Sequence, residues 1–311
     1  MIISTISLNP AIDKTYMVHS FTANAVNRAH KVKTNIGGKG INVAAISKIC
    51  GYETIAGGFV SGINGLFIEQ ELNKMGIETR FVRTDGETRV NIKIADEENN
   101  TFTDINESGP VVTALNIDEI YKKTDEISKV SDYIHIGGSI PPGINTDIYK
   151  NLVKIAKDNG AITLLDAEGE VFSKGIEAKP HIIKPNQYEL ELLVGRKFDT
   201  IKEVCDAATQ ILNSGIETVL VSLGENGAVA VNKAGVYRAF PLNVPVRSTV
   251  CAGDSFLMGF VYGVTQGESF ENSLKYAISF SAAKIQTEGT DLPSLCEFKA
   301  GFNKVITKKI D

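Results

Sequence analysis

Short apolar runs rich in β-branched residues alternate with helix-like segments along most of the chain. Of all the features of the sequence, this alternation restricts the possible folds most. The predicted strands cover residues 2–8, 54–60, 133–138, 161–167, 181–186 and 218–224. The predicted helices cover residues 41–51, 65–76, 145–159 and 200–214. Strands that alternate with helices form a mostly parallel sheet with helices on both faces. The sequence therefore predicts an α/β protein.

Two regions interrupt the alternation. Residues 12–35 lack an apolar stripe of helix length, and residues 88–106 read as two strands joined by the polar turn DEENN. We expect these strands, from about 12–35 and 88–107, to stand outside the main sheet as a lid. Ligands of open α/β sheets bind at the carboxyl ends of the strands, so a lid there would cover a site. No repeat or linker divides the chain, and residues 1–311 are predicted to form a single domain.

The overall charge excludes some partners. The formal net charge is −5, so no basic field favours nucleic acid or an anionic membrane surface. The first residues, MIISTISLNP, lack the features of a signal peptide, and no apolar run reaches the length of a membrane span. The four cysteines are scattered, as is typical of reduced thiols. We expect a soluble cytoplasmic enzyme that holds any anionic ligand with local groups.

The stretch RSTVCAGDSFLMGF, residues 247–260, is predicted to run from a strand through a small-residue turn into a helix. Free N–H groups and the positive end of a helix dipole would meet at this turn, which makes it an anion site suited to phosphate. Asp254 has two interpretations, an N-cap or a base that accepts a proton from an attacking hydroxyl. The helix dipole is expected to lower the pKa of Asp254, and that of the Cys251 thiol as well.

The segment NIGGKGINVAA, residues 35–45, places Gly37 and Gly38 just before a helix. It matches neither the dinucleotide pattern GxGxxG nor a Walker A loop. Its glycines allow close approach of the backbone to a ligand, and Asn42 can donate to a hydroxyl. A plain loop-to-helix junction explains the segment equally well.

Alternation along Thr88–Ile94 places Arg89, Asn91 and Lys93 on one face of a strand. Two cations and an amide on one face make a phosphate clamp. A solvated lid surface is the alternative.

Two further segments carry weaker signals. In IIKPNQYELELL, residues 182–193, Asn186 and Glu189 have the spacing of a capping box, or else Glu189 organises water around Mg²⁺. SLGENGAVAV, residues 222–231, is predicted to be a hairpin whose glycines could also lie against a nucleotide. The histidines show no useful spacing, and His135 and His181 are expected to be satisfied core residues.

Taken together, seven segments in order resemble the ribokinase-like, or phosphofructokinase B, family of sugar kinases over essentially the whole chain. They are TISLNPAIDKTY (5–16), GGKGINVA (37–44), GGFVSGINGLFIEQELNKMGIE (57–78), GGSIPPG (137–143), KPNQYEL (184–190), VSLGENGA (221–228) and STVCAGDSFLMGF (248–260). The resemblance implies a three-layer α/β/α fold with a small β lid. NPAIDKTY, GGKGIN and TRVNIK look like the branch that phosphorylates phosphosugars, which contains 1-phosphofructokinase and tagatose-6-phosphate kinase.

The resemblance also implies residue roles, ligands and an assembly. Asp254 would be the catalytic base, and an anion hole would come from Cys251, Ala252 and Gly253. The sugar and its phosphate would contact Asp13, Gly37, Gly38, Asn42, Arg89, Lys93 and Ser139. The nucleotide would lie along Lys184, Ser222, Gly224 and Gly227, with Asn186 and Glu189 near Mg²⁺ through water. ATP, Mg²⁺, a phosphosugar, an optional monovalent cation and a homodimer formed through the lid strands are implied.

One residue departs from the family pattern. The family usually has the motif GAGD at this turn, and Cys251 stands in the place of its first glycine. A non-glycine residue with φ above zero costs about 1–2 kcal/mol, but its N–H donor remains. The favoured activity is phosphorylation of fructose 1-phosphate, with tagatose 6-phosphate as the alternative. A non-catalytic phosphosugar sensor is a second alternative. A NAD-dependent dehydrogenase is disfavoured, because the sequence lacks the GxGxxG motif of such enzymes.

Overall fold

The computed structural model describes residues 1–99 and 101–310, so Asn100, the last residue of the predicted DEENN turn, lies outside the described residues. The strands are β1 (Ile2–Ser7), β2 (Ala11–Val18), β3 (Lys31–Gly37), β4 (Glu53–Ser61), β5 (Glu78–Thr84), β6 (Val90–Asp96), β7 (Thr101–Asn106), β8 (Tyr133–Gly137), β9 (Ile162–Asp166), β10 (Ile182–Ile183), β11 (Thr218–Ser222), β12 (Ala228–Asn232), β13 (Gly235–Ala239) and β14 (Thr307–Ile310). The helices are α1 (Lys39–Ile49), α2 (Gly62–Lys74), α3 (Ala114–Ser128), α4 (Ile148–Asp158), α5 (Gly169–Ile176), α6 (Gln187–Val194), α7 (Ile201–Leu212), α8 (Ala252–Thr265), α9 (Phe270–Lys284) and α10 (Leu295–Lys299).

The larger sheet has ten strands in the order β14-β13-β12-β11-β10-β9-β8-β1-β4-β5. The seven strands from β11 to β5 pair in parallel, and β12, β13 and β14 extend the sheet by antiparallel pairs. Apolar residues of α3 to α7 pack on one face, and those of α1, α8, α9 and α10 on the other. The three-layer, mostly parallel fold predicted from strand–helix alternation is confirmed.

A second, four-stranded sheet in the order β3-β2-β6-β7 forms the lid. β2 pairs with β3 and β6, and β6 pairs with β7. The two regions that interrupt the strand–helix alternation of the sequence therefore form one sheet. Ile12 of β2 packs with Ile41 and Ala44 of α1, which attaches the lid to the main body. β7 is exposed along its whole length. The small β lid is confirmed.

Two local predictions are wrong. Residues 247–250, predicted as a strand, run as an irregular segment, because Arg247 and Ser248 donate to the carbonyl of Ile285 at the end of α9 rather than to a neighbouring strand. The predicted strand 181–186 contains only the two-residue β10, since Pro185 cannot donate to a ladder. Within the described residues, we find no helix with the length and apolar character needed to cross a bilayer.

Candidate active site

The turn before α8 has the geometry of an anion site. Cys251 is the N-cap residue with φ 63°, and its own side chain makes no capping hydrogen bond to the helix. Ala252, Gly253 and Asp254 are the first three helical residues. The Ala252 N–H donates to the Thr249 carbonyl over 3.2 Å, whereas the N–H groups of Gly253 and Asp254 have no partner inside the helix. Asp254 is therefore not the cap, and that interpretation is wrong.

Asp254 is buried at the start of α8, with only 6% of its surface exposed to solvent. Asn42, in the first turn of α1, donates to its Oδ2 over 2.8 Å. Burial, and then the negative charge of Asp166, raise the pKa of Asp254 to about 6. The expected lowering of this pKa is wrong, because loss of water outweighs the helix dipole and the nearby cations.

A buried charge network lies beside Asp254, and the sequence did not predict its centre. Asp166 ends β9 and is fully buried. Lys39 Nζ lies 2.8 Å from its Oδ1, and Lys184 Nζ lies 3.4 Å from its Oδ2. Although burial opposes ionisation, Lys184 and Lys39 hold the pKa of Asp166 at about 2. We call Lys39, Asp166, Lys184 and Asp254 the floor of the site.

Lys184 also borders the anion site. A Cβ added to Gly253 would lie 3.3 Å from Lys184 Nζ, so the ammonium group lies over the first turn of α8. Lys184 itself is 4% exposed. A positive charge therefore adds to the free N–H groups of the turn, and together they favour a phosphate group there.

On the lid side, Asp13 of β2 is the meeting point of the predicted sugar residues. Asn91 Nδ2 donates to Asp13 Oδ1 over 2.9 Å, and Lys93 Nζ lies 4.0 Å from Oδ2. A Cβ on Gly37 would lie 2.6 Å from Asp13 Oδ2, so glycine leaves the room that this carboxylate needs. Gly38, with φ 107°, begins α1.

Arg89 extends from the lid to the loop after β1. Its Nε donates to the Asn9 carbonyl over 3.1 Å, and a terminal nitrogen donates to the Glu107 carbonyl over 3.2 Å. The Asn9 side chain in turn donates to Ser139 Oγ over 3.3 Å. The structure thus brings Arg89 and Ser139 to one corner, with Asn9, which the sequence interpretation missed, between them.

A cavity of about 670 Å³ adjoins the turn before α8. Its lining includes Ser222, Gly224, Gly227, Ala252 and Gly253. Its volume is within the range of small-ligand and cofactor sites. The predicted hairpin is present as β11 and β12, and it places the candidate nucleotide residues beside the candidate anion hole.

Asn186 and Glu189 form the predicted capping box of α6. Asn186 Oδ1 accepts from the Glu189 N–H and Glu189 Oε2 accepts from the Asn186 N–H, each over 2.8 Å. Burial raises the pKa of Glu189. Within the part of the chain that the structure describes, Asp166 Oδ2 accepts no hydrogen bond, although Lys184 Nζ lies 3.4 Å away. The carboxylates of Asp166 and Glu189 are oxygen ligands of the kind that Mg²⁺ prefers. Among the residues that the structure describes, Asp166 and Glu189 do not belong to a cluster of groups close enough to bind one ion together. An ion here would therefore keep several waters and contact the protein through them.

Within residues 1–99 and 101–310, only His19, His30 and Glu97 approach closely enough to bind one metal ion together. They are exposed at one end of the lid, and each histidine contacts Glu97 as an ion pair would. They contribute nothing to the floor.

Two predictions about side-chain state are wrong. Cys251 is 7% exposed, and burial raises the pKa of its thiol, so the expected activated thiol is absent. His135 is fully buried, yet neither ring nitrogen has a hydrogen-bond partner among the described residues. Burial lowers its pKa to about 4, which keeps the ring neutral. His181 is satisfied as predicted, through Thr163.

A family model described as pfkB family carbohydrate kinase matches residues 6–295. The chain belongs to this family. It is 34% identical to a 1-phosphofructokinase from Escherichia coli K12 over 96% of either chain. It is 33% identical to a tagatose-6-phosphate kinase from Staphylococcus epidermidis RP62A over 97% of this chain and 98% of that one.

A solved structure of phosphofructokinase-2 from Escherichia coli in complex with potassium has a TM-score of 0.91 at 26% identity, covering 97% of this chain and 98% of that one. These likenesses confirm the predicted ribokinase-like family and the prediction of an ATP-dependent carbohydrate kinase.

Proposed function

We propose that the chain transfers the γ-phosphoryl group of ATP to a ketohexose monophosphate, with fructose 1-phosphate as the favoured acceptor and fructose 1,6-bisphosphate as the product. One observation carries this proposal. A buried carboxylate, Asp254, lies in the first turn of a helix whose free N–H groups form an anion site, and a lid with two cations faces the same region.

Asp254 acts as the base in this mechanism. The sugar hydroxyl on C6 attacks the γ-phosphorus, the bond to the β-phosphate oxygen breaks, ADP leaves, and the hydroxyl proton passes to Asp254. The N–H groups of Cys251 and Gly253 would stabilise charge on the phosphoryl oxygens during transfer, and that of Ala252 would do so once it leaves the Thr249 carbonyl. Since proton transfer comes late in a loose transition state, a carboxylate with a pKa of about 6 suffices.

The remaining candidate residues bind and orient. Arg89, Lys93 and Ser139 would hold the phosphate already on the sugar, while Asp13, Gly37, Gly38 and Asn42 would contact its hydroxyls. The nucleotide would occupy the cavity along Ser222, Gly224 and Gly227, with Lys184 near its phosphates. Mg²⁺, held through water by Asn186 and Glu189, would neutralise phosphate charge.

Tagatose 6-phosphate is the second candidate acceptor. The relative with that name is 33% identical to this chain, against 34% for the 1-phosphofructokinase. The two sugars carry their phosphate at opposite ends, C1 or C6, and differ in configuration at C4, so the choice between them depends on how Arg89 and Lys93 place the phosphate relative to Asp254.

Relative kcat/KM values for fructose 1-phosphate, tagatose 6-phosphate and fructose 6-phosphate, measured by ADP release, test the proposal. We expect fructose 1-phosphate to exceed the others by at least about tenfold, which corresponds to about 1.4 kcal/mol of transition-state binding. Binding of a phosphosugar without turnover would support the sensor instead. A preference for tagatose 6-phosphate would select the second candidate.

We also propose that residues 1–311 form one kinase domain that dimerises through the lid in the cytoplasm, without nucleic acid or membrane as a partner. Phe102 and Ile105 on β7 are 65% and 54% exposed, and Val32 on β3 is 51% exposed, so the lid offers apolar surface to a second copy. The four free cysteines suit a reducing compartment. Light scattering is expected to give twice the chain mass, and Phe102→Asp is expected to give the mass of one chain.

A further inference from the structure

A lysine that the proposed mechanism does not use is buried next to the anion site. Lys284, the last residue of α9, has no exposed surface. No carboxylate lies within 4.0 Å of its ammonium group among the described residues. Nζ instead donates to the Gly289 carbonyl over 2.9 Å and to Thr287 Oγ1 over 2.8 Å. Asp291 acts on Lys284 only from beyond ion-pair distance. A buried cation without a carboxylate in contact is costly, so its position requires an explanation.

The Gly289 carbonyl links Lys284 to the segment that leads into the turn. It also accepts from Ser248 Oγ over 3.1 Å, and Ser248 Oγ accepts from the Val250 N–H over 3.3 Å. The next residue is Cys251, whose left-handed backbone begins α8. The positive charge of Lys284 is close enough to act on the Cys251 thiol. The ammonium group therefore lies behind the anion site and helps to set its backbone.

The loop that accepts these hydrogen bonds, residues 286–291, also contacts the lid. Lys33 of β3 pairs with Glu288 over 2.9 Å and with Asp291 over 3.0 Å. Asn35, also on β3, donates to Thr290. Lys284 thus holds a loop that contacts both the lid and the segment before the catalytic turn.

Carbonyl and hydroxyl oxygens around a cation are the ligands that an alkali ion would take. Here the oxygens of Gly289 and Thr287 already accept hydrogen bonds from the Lys284 ammonium group. This group occupies the place that a free monovalent ion would need. We propose that Lys284 supplies the cation of the anion site and holds loop 286–291 against the segment before Cys251, which makes the chain independent of potassium. The inference rests on the proposed kinase function and specifies its ion requirement.

This inference separates the chain from a relative of the same fold. The solved phosphofructokinase-2 structure is a complex with potassium. Lys284 is a positioning residue, because it acts through loop 286–291 and the turn and makes no contact with a reacting atom in the proposed mechanism.

Steady-state kinetics in chloride salts of potassium, sodium and tetramethylammonium, at equal ionic strength, test the proposal. ADP is quantified by chromatography, because a coupling enzyme can itself need potassium. We expect wild-type kcat to agree within about twofold in the three salts. A fall of more than about fivefold in wild-type kcat when potassium is replaced by tetramethylammonium would overturn the proposal, and this arm needs no variant to fold.

Variants then locate the effect. In tetramethylammonium, Lys284→Ala is expected to lose about 100-fold in kcat, comparable to the loss of one stabilising group in an anion hole. Potassium or ammonium should restore at least about tenfold, because the vacated oxygens can bind a free cation. Lys284→Met should lose as much without recovery, since its side chain fills the space. Lys275→Met, a matched change on the same helix at a lysine with a partly exposed side chain, should behave as wild type.

Thermal unfolding keeps this inference separable from the proposed function. Potassium is expected to raise the Tm of Lys284→Ala and to leave that of the wild type unchanged, because only the variant has a vacant cation site. This result does not depend on the sugar. Wild-type kcat for Lys284→Ala in tetramethylammonium, or stabilisation of the wild type by potassium, would contradict the inference. Absence of turnover with every phosphosugar would contradict the proposed function alone.

Discussion

The floor of the site and the lid hold their charged groups in different ways. Asp166, Lys184 and Asp254 of the floor are buried, and each is fixed by other buried charges or by Asn42. In the lid, β7 is exposed throughout, Arg89 donates to the Glu107 carbonyl, and Lys93 pairs with the exposed Asp104. Lys93 also lies 4.0 Å from the buried Asp13, so the lid combines one buried carboxylate with partners near solvent. Breaking a buried ion pair leaves an uncompensated charge, whereas a ligand can replace the partners of a lid cation. This contrast suggests that the floor performs the chemistry and the lid selects the sugar.

The largest effect is expected for Asp254→Asn on the floor. Loss of the proposed base should lower kcat by at least about 1,000-fold, while KM for the phosphosugar changes less than about threefold. The control is Asp104→Asn, on the exposed strand β7 of the lid, which should retain kcat. Near-normal turnover in Asp254→Asn, measured by ADP release, would remove Asp254 from the mechanism.

The same variant is expected to be more stable than the wild type. Burial raises the pKa of Asp254 from 3.8 to about 6, so the folded state binds the proton more tightly than the unfolded chain. Stability from this group is present at low pH and is lost as pH rises through about 6. Near pH 7.5 the neutral amide should therefore add up to about 3 kcal/mol to the free energy of unfolding in urea. A destabilised variant would contradict the assigned cost of burying the charge.

The next largest effect is expected in the lid. Lys93→Met should raise KM for fructose 1-phosphate by about 10- to 100-fold, the equivalent of one charge-assisted hydrogen bond, and should leave kcat within about threefold. Lys14→Met is the matched control, because alternation along β2 places Lys14 on the face opposite Asp13. A loss confined to kcat would show that Lys93 belongs with the floor.

A smaller effect is expected from pH. Because the base must be ionised, kcat should fall as pH drops through about 6 and be about tenfold below its plateau at pH 5. Titration of the substrate phosphates overlaps this range. The residual rate of Asp254→Asn therefore serves as the control, and it should lack the part of the acid limb that Asp254 causes. The same acid limb in both proteins would assign it to the substrates.

The smallest effect is expected at Cys251. Its thiol is buried and its pKa is raised, so iodoacetamide at neutral pH should label the exposed Cys296 and leave Cys251 and the kinase activity unchanged. Peptide mass analysis identifies the labelled thiol. Labelling of Cys251 as fast as Cys296, with loss of activity, would mean that the turn opens to solvent.

The parts of the molecule that depend on neighbours in sequence could be predicted from the sequence. The capping box of Asn186 and Glu189 needs only a spacing of three residues, and alternation along one strand was enough to place Asn91 and Lys93 on the same face. Their contact with Asp13, which lies 78 positions from Asn91, was not predicted. Strand–helix alternation was likewise sufficient for the parallel sheet.

The parts that depend on distant neighbours could not be predicted. Asp166 meets Lys39 across 127 positions of the chain, and no local pattern marks such a pair. The pKa values of Asp254 and Cys251 were predicted in the wrong direction because the helix dipole is visible in the sequence, whereas burial by packed helices is not. Lys284 gave no signal, because its partners Thr287 and Gly289 lie in an irregular loop.

The central claim is that the floor transfers the phosphoryl group while the lid recognises the phosphate already on the sugar. Its most direct test is the ratio of kcat/KM for fructose 1-phosphate to that for fructose, in the wild type and in the double variant Arg89→Met, Lys93→Met. We predict that the double variant lowers this ratio at least about 100-fold, through KM for the phosphosugar, while kcat stays within about tenfold of the wild type. An unchanged ratio, or a kcat as low as that of Asp254→Asn, would contradict the claim.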